Sequence, residues 1–148
     1  IKVEEVIDGI LNIVQSEIKY KAELVKEYGE TGTLQGNAQR LGQVFINLLI
    51  NAAQAIQEKG KITIKTYREN GCVGIDVSDT GKGISEENLT RIFDPFFTTK
   101  PVGQGTGLGL SVSYEIVKKH GGEIKVYSKV GQGTTFTIKL PLKRRITL

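Results

Sequence analysis

Methionine and tryptophan are absent, cysteine and histidine occur once each, and no apolar run approaches the roughly 18 residues needed to span a bilayer. The lone Cys72 excludes a disulfide framework within the chain and points to a reducing compartment. It sits in an alternating, strand-like stretch, where a core thiol is expected. The opening residues IKVEEV form neither the basic start nor the apolar segment of a secretion signal. Without an initiating Met the chain reads as a fragment or processed piece of a longer protein, so its function is expected to be shared with segments outside it. Charge is not concentrated either. The net +4 is spread among acids and only Lys143, Arg144 and Arg145 cluster, which argues for a solvated face and tail and against a nucleic-acid surface. No internal repeat or low-complexity segment is present.

The 148 residues, 39% hydrophobic, fit one compact domain over 1–148 with an ordinary core. Val3, Val6, Ile7, Ile10, Leu11, Val14 and Ile18 recur at the spacing of one helical face, and Ala22–Tyr28 suits a short strand. Asn37 stands where an N-cap belongs, ahead of a helix expected over 37–58 whose Leu41, Val44, Phe45, Leu48, Leu49, Ala52 and Ile56 face a core, with Gly60 as its stop. Ile62, Ile64 and Thr66 alternate with polar residues, Asn70-Gly71 favours a type I′ turn, and Val73, Ile75 and Val77 alternate again, which predicts a hairpin. Ser85 before Glu86 and Glu87 predicts a capped short helix over 85–92, because acids in a first turn complement the helix dipole. A long loop then runs to Gly107. A third long helix is expected over 108–120, stopped by Gly121-Gly122, followed by a second hairpin whose strands, Glu123–Lys129 and 134–140, flank Gly131-Gln132-Gly133. Antiparallel pairs with helices between them predict an α+β fold with a layer of helices on one sheet face.

Three segments carry chemistry. On the second helix Gln43, Asn47 and Asn51 lie four apart and share one edge. Their amides suit Mg²⁺ or phosphate, since amide oxygens are hard neutral ligands and Mg²⁺ takes few protein ligands beside phosphates; a solvated polar edge is the alternative, and for the asparagines taken alone the commoner one. Asp79 opens DTGKGI at a strand end, where its carboxylate suits the exocyclic amine of adenine and the glycines let a flat base approach. A plain Asp-Thr-Gly turn is the alternative. Gly103, Gly105, Gly107 and Gly109 alternate through a loop entering a helix, which can offer unpaired N–H groups and a positive dipole end to phosphates, with Lys100 in reach of the anion. The loop lacks the GK[ST] ending of a Walker A motif and no strand immediately precedes it, so neither the P-loop nor the Rossmann pattern applies. A ligand-free hinge or lid is the alternative.

Taken in order, these segments resemble the ATP-binding catalytic domain of sensor histidine kinases, in the superfamily that includes gyrase and Hsp90. QVFINLLINAAQAI resembles the N box, DTGKGI the G1 box, IFDPFFTTK the F box, GTGLGLSVSYEIVKKHGG the G2 box and GQGTTFTIKLP the closing strand pair, so the resemblance covers nearly the whole chain. It implies a two-layer α/β sandwich, a mixed and largely antiparallel sheet covered on one face by about three helices, with a long ATP-lid loop. It also implies an ATP site. In the N box this takes Asn47 at the phosphate end, Asn51 on Mg²⁺, Gln54 and Ala55. In the G1 box it takes Asp79 on adenine, Gly81, Gly83 and Ile84. The F box would give Thr98 and Lys100, the G2 box Gly105, Thr106, Gly107, Leu108, Gly109 and Leu110 over the phosphates, and the last strand Thr135 in the adenine network. Phe93, Phe96 and Phe97 are expected to pack and anchor the lid.

In the hydrolysing relatives the position matching Asn47 is a glutamate that activates water, and an amide is no useful base near neutral pH. The resemblance therefore implies a domain that binds Mg·ATP and donates the γ-phosphate to a histidine on a separate dimerisation domain, within a cytoplasmic two-component phosphorelay. Positioning and electrostatics would dominate that transfer. His120, in Lys-Lys-His-Gly-Gly, reads as a helix cap or surface residue and not as the acceptor. The implied partners are that histidine-bearing domain and, through the full-length protein, a response regulator, with no nucleic acid and no membrane contact by this segment. The isolated domain is expected to be a monomer, and the parent protein is open to membrane attachment. Two alternatives are a serine kinase of the anti-sigma-factor type, which the F box argues against, and an interaction module that needs no nucleotide.

Overall fold

The computed structural model describes residues 1–97 and 109–142. Among them the elements are α1 Val3–Ile18, β1 Ala22–Tyr28, α2 Ala38–Ala55, β2 Gly60–Glu69, β3 Cys72–Asp79, α3 Glu86–Leu89, α4 Gly109–Lys119, β4 Glu123–Lys129 and β5 Gly133–Pro141. One five-stranded sheet runs in the order β1-β2-β3-β5-β4. Its β1 and β2 pair parallel and the other neighbours pair antiparallel. A parallel pair needs a crossover, and α2 supplies it. The sheet is thus mixed and largely antiparallel, with α1, α2 and α4 on one face.

Alternation decides which face is covered. Ile62, Ile64, Val73, Ile75, Val77, Phe136, Ile138 and Leu140 are buried, while the residues between them stay half-buried or exposed, except Gly74, which the Tyr67 ring covers. The buried stripe of α2, from Leu41 through Phe45 and Leu48 to Ala53, lies over them. Fully burying each large apolar side chain contributes about 1.5–3 kcal/mol, so α2 anchors the layer. Asn37 caps it as expected, its side chain accepting from Arg40 N–H at 3.0 Å.

Asn70 and Gly71 both adopt positive φ, 51° and 75°, as a type I′ turn requires. The long helix of the G2 segment ends in a Schellman motif: Gly121 N–H donates to Lys118 O at 2.9 Å and Gly122 N–H to Val117 O at 3.0 Å. Four details differ from expectation. α2 stops at Ala55 because Ile56 turns extended to bury its side chain, and Gly60 opens β2 instead of closing the helix, its N–H donating to Lys21 O at 2.8 Å. α3 ends at Leu89, one turn after its Ser85 cap. Cys72, at the start of β3, is half-buried and not a core thiol.

Candidate functional site

The polar edge of α2 is a bonded chain. Gln43 Nε2 donates to Asn47 Oδ1 at 2.9 Å, and Asn47 Nδ2 donates to Gly109 O at 3.1 Å and to Ser113 Oγ at 3.2 Å. The first turn of α4 is therefore tied to the middle of α2. Asn51 lies one turn further along α2 and is half-buried, while Gln54 is exposed.

The G1 segment folds back over the end of that helix. Lys82 N–H donates to Ala55 O at 2.9 Å, and a Cβ at Gly81 would stand 2.6 Å from the same oxygen. On the other side Gly131 N–H donates to Lys82 O at 2.9 Å, and a Cβ at Gly83 would stand 2.2 Å from Lys129 O. Protein backbone thus fills the space that glycine leaves at both positions, whereas the sequence suggested room for a flat base. Ile84 N–H donates to Ser128 Oγ at 2.7 Å, and Ser128 Oγ donates in turn to Gly133 O at 2.9 Å.

Asp79 ends β3 on the covered face and is buried. Its Oδ1 accepts Gly81 N–H at 2.8 Å. Burial pushes the carboxyl above the usual carboxylate range, and the backbone N–H groups of Gly81 and Thr134 oppose that shift. The register pairs Asp79 with Thr134 and Ser78 with Thr135. Thr135 consequently lies on the open face, its hydroxyl 2.9 Å from that of Ser78, and is not brought to Asp79. Thr134, buried and 2.8 Å from Ser128 Oγ through its own hydroxyl, takes that place. Alternation was the available signal, and the parity depends on a strand pairing that a single sequence does not display.

Gly109 and Leu110 open α4, next to Asn47 in the case of Gly109. Thr98, Lys100, Gly105, Thr106, Gly107 and Leu108 lie outside the described residues, as does most of the expected lid. Phe93 packs as expected, its ring centroid 5.4 Å from Tyr114 and 6.4 Å from Phe136. Phe97 lies under the Arg91 guanidinium at 4.8 Å. Phe96 differs: it is 72% exposed, with φ at 66°. His120 does bond the last-turn carbonyl Ile116 O of α4, as a cap would, but it is buried and not at the surface, with its other ring nitrogen accepting Asn37 N–H.

One buried carboxylate, an Asn-bearing helix and the start of a second helix are thereby gathered about the second half of α2. A sequence profile of the histidine kinase-, DNA gyrase B- and HSP90-like ATPases matches residues 36–144. The chain belongs to this family. Among relatives of this ATPase-family chain, sensor histidine kinase ZraS of Escherichia coli strain K12 is 48% identical over 109 residues, which is 74% of this chain and 23% of that protein. The chain thus spans about a quarter of the length of that curated relative. The nucleotide-free catalytic domain of histidine kinase ThkA superposes with a TM-score of 0.85 at 34% identity, covering 96% of this chain and 93% of that one. A mycobacterial sensor histidine kinase, MprB, gives 0.85 at 29% identity and covers 95% of each chain. The fold is that of histidine kinase catalytic domains, and α1 and β1, although they precede the span matched by the family, are integral to it.

Proposed function

We propose that this chain holds Mg·ATP as the catalytic domain of a two-component sensor histidine kinase and presents the γ-phosphate to a histidine on a separate dimerisation domain. The carrying observation is Asp79. A buried carboxylate that backbone N–H groups orient and no basic side chain neutralises among the described residues can accept a further donor, and the exocyclic amine of adenine is one. Thr134 and the Gly81 backbone fix its orientation, while Gly83 and Ile84 hold the loop to the β4–β5 turn. The site set then comprises Asn47, Asn51, Gln54 and Ala55 on α2, the G1 loop, and the start of α4 at Gly109 and Leu110.

Among the described residues no group of three or more His, Cys, Asp or Glu side chains is placed to hold a metal. A divalent ion here would rest on the Asn51 amide oxygen, the phosphates and water, which suits Mg²⁺ with its preference for oxygen and retained waters. Bound there, it would neutralise phosphate charge. Asn47 supplies no base, and its amide is engaged with α4, so the residues favour holding ATP over hydrolysing it. His120 has both nitrogens occupied, which leaves the acceptor to another domain. Val112 and Tyr114, exposed on α4, and Phe96 offer apolar surface for the acceptor helices, and a response regulator would receive the phosphate afterwards. No helix of the described residues is long and apolar enough to cross a membrane, and a cytoplasmic placement fits a domain that uses ATP.

Calorimetric titration of a non-hydrolysable Mg·ATP analogue into the chain and into Asp79→Asn, with GTP as control, tests the reading. Adenine-selective binding that the substitution abolishes is expected. A folded wild-type chain that binds neither nucleotide would overturn it.

A further inference from the structure

The orientation of the Asn47 amide is fixed by one group that cannot change its character. The Gly109 carbonyl only accepts, so the atom facing it at 3.1 Å must be the Asn47 amide nitrogen. Ser113 enforces the same choice. Its hydroxyl donates its single proton to Gly109 O at 2.8 Å, which leaves lone pairs toward Asn47 Nδ2 at 3.2 Å. Gln43 closes the chain from the other side by donating to Asn47 Oδ1 at 2.9 Å. A flipped amide would set oxygen against the Gly109 carbonyl and the Ser113 lone pairs, and nitrogen against the Gln43 amine. The Gly109 contact is the one that turning the Ser113 hydroxyl or the exposed Gln43 amide could not repair.

From this we infer that Ser113 and Gln43 are positioning residues that lock Asn47 as a latch between α2 and the first turn of α4, and so set where the helix that follows the glycine loop meets the phosphates. The phosphate half of this inference rests on the proposed function. A serine that bonds the carbonyl one turn back is ordinary in a helix. Here the hydroxyl is also fully buried and receives a second helix, which back-bonding alone does not require. Gln43 by contrast is exposed, so altering it touches the latch without opening the core.

The test uses the full chain as wild type, Ser113→Ala, Gln43→Met and the double variant. Hydrogen exchange without nucleotide reads the latch itself: faster exchange confined to the first turns of α4, with the denaturation midpoint unchanged in Gln43→Met, is expected. Titration with the non-hydrolysable Mg·ATP analogue and with ADP reads its purpose. Each single variant should bind the analogue about two- to tenfold more weakly, the effect of one hydrogen bond, while ADP binding stays within about twofold. The double variant should lose less than the product of the two, because both act through one amide. Unchanged exchange at α4, equal weakening of both nucleotides, or strictly multiplicative losses would overturn the inference. If exchange changes but the wild type binds no nucleotide, the proposed function fails and the positioning role falls with it, while the latch as a structural tie survives.

Discussion

The Nε2 atom of His120 accepts the backbone N–H of Asn37 at 3.0 Å, across 83 residues of sequence. Its Nδ1 faces Ile116 O at 2.8 Å, a carbonyl that can only accept, so the ring carries its proton on Nδ1 and is neutral in this arrangement. The C-terminus of α4 is thereby bound to the N-cap of α2, while Asn47 binds the other end of α4 to the middle of the same helix. Two polar ties with apolar packing between them hold the helix that the glycine loop enters.

His120→Ala removes the acceptor of a helix N-terminal N–H and leaves a void beside Gly36, whose added Cβ would lie 3.1 Å from the ring. A loss of about 1–3 kcal/mol is expected, the cost of an unmade buried bond. Urea denaturation should show a lower midpoint with an unchanged slope. An unaltered midpoint would show that water or a neighbour replaces the imidazole.

Asp79 carries the pH dependence. Its folded carboxyl titrates above the unfolded value of 3.8 because burial disfavours the charge. The native state therefore keeps a proton that the unfolded chain has lost, and the contribution of this group to stability is present below the unfolded value and is lost as pH rises through the folded one. Asp79→Asn, which cannot ionise, should gain in stability relative to wild type as pH rises across that window and should lose nucleotide binding. Denaturation of both proteins over a pH series measures the difference. Parallel curves would contradict the assigned shift.

Much of this was legible before the fold was known, for local reasons. The apolar spacing of Leu41, Val44, Phe45, Leu48 and Leu49 does not depend on what packs against it, and Asn70-Gly71 states its own turn through positive φ. Asp79 and the α2 asparagines could be placed from the sequence, at the end of a strand and along one edge of a helix, and the proposed site is built on them. Thr134 was not, because its face follows from pairing with Asp79 across the sheet. The engagement of His120 was hidden for the same reason, its partner lying on another helix. Helix ends failed where tertiary demands won: Ile56 leaves α2 to reach the core, and Gly60 is taken by the β1 ladder.

Gly83 of the G1 segment and Gly131 of the β4–β5 turn separate strain from collision. Gly83 and Gly131 have similar left-handed φ, +77° and +82°, but a Cβ on Gly83 would meet Lys129 O at 2.2 Å and one on Gly131 would meet nothing within 4 Å. Gly131→Ala should cost about 1 kcal/mol from backbone strain alone. Gly83→Ala should cost roughly 4 kcal/mol or more, since two backbones must part. Thermal unfolding of the pair checks this, and equal losses would deny the close approach. Loss of nucleotide binding in Gly83→Ala would accordingly not by itself identify a ligand contact.

Glu4, in the first turn of α1, accepts the hydroxyls of Thr31 and of Thr66, the latter at 3.1 Å, and both threonines are buried. The Thr66 hydroxyl also accepts Gly29 N–H at 3.2 Å, so one carboxylate joins a helix, a loop and β2. Glu4→Ala strands two buried hydroxyl donors and should cost about 1–3 kcal/mol, whereas Glu4→Gln keeps an acceptor oxygen and should cost less. The loss should be uneven. Asp8 still accepts from Tyr28 Oη at 2.9 Å and from Lys26 Nζ at 3.1 Å, yet both bonds are exposed and hold only the second turn of α1. Hydrogen exchange in Glu4→Ala should therefore accelerate first at the start of α1 and along β2 beside Thr66, while β3 and β5 keep wild-type protection. Acceleration shared equally by all five strands would instead place α1 in the same cooperative unit as the central sheet.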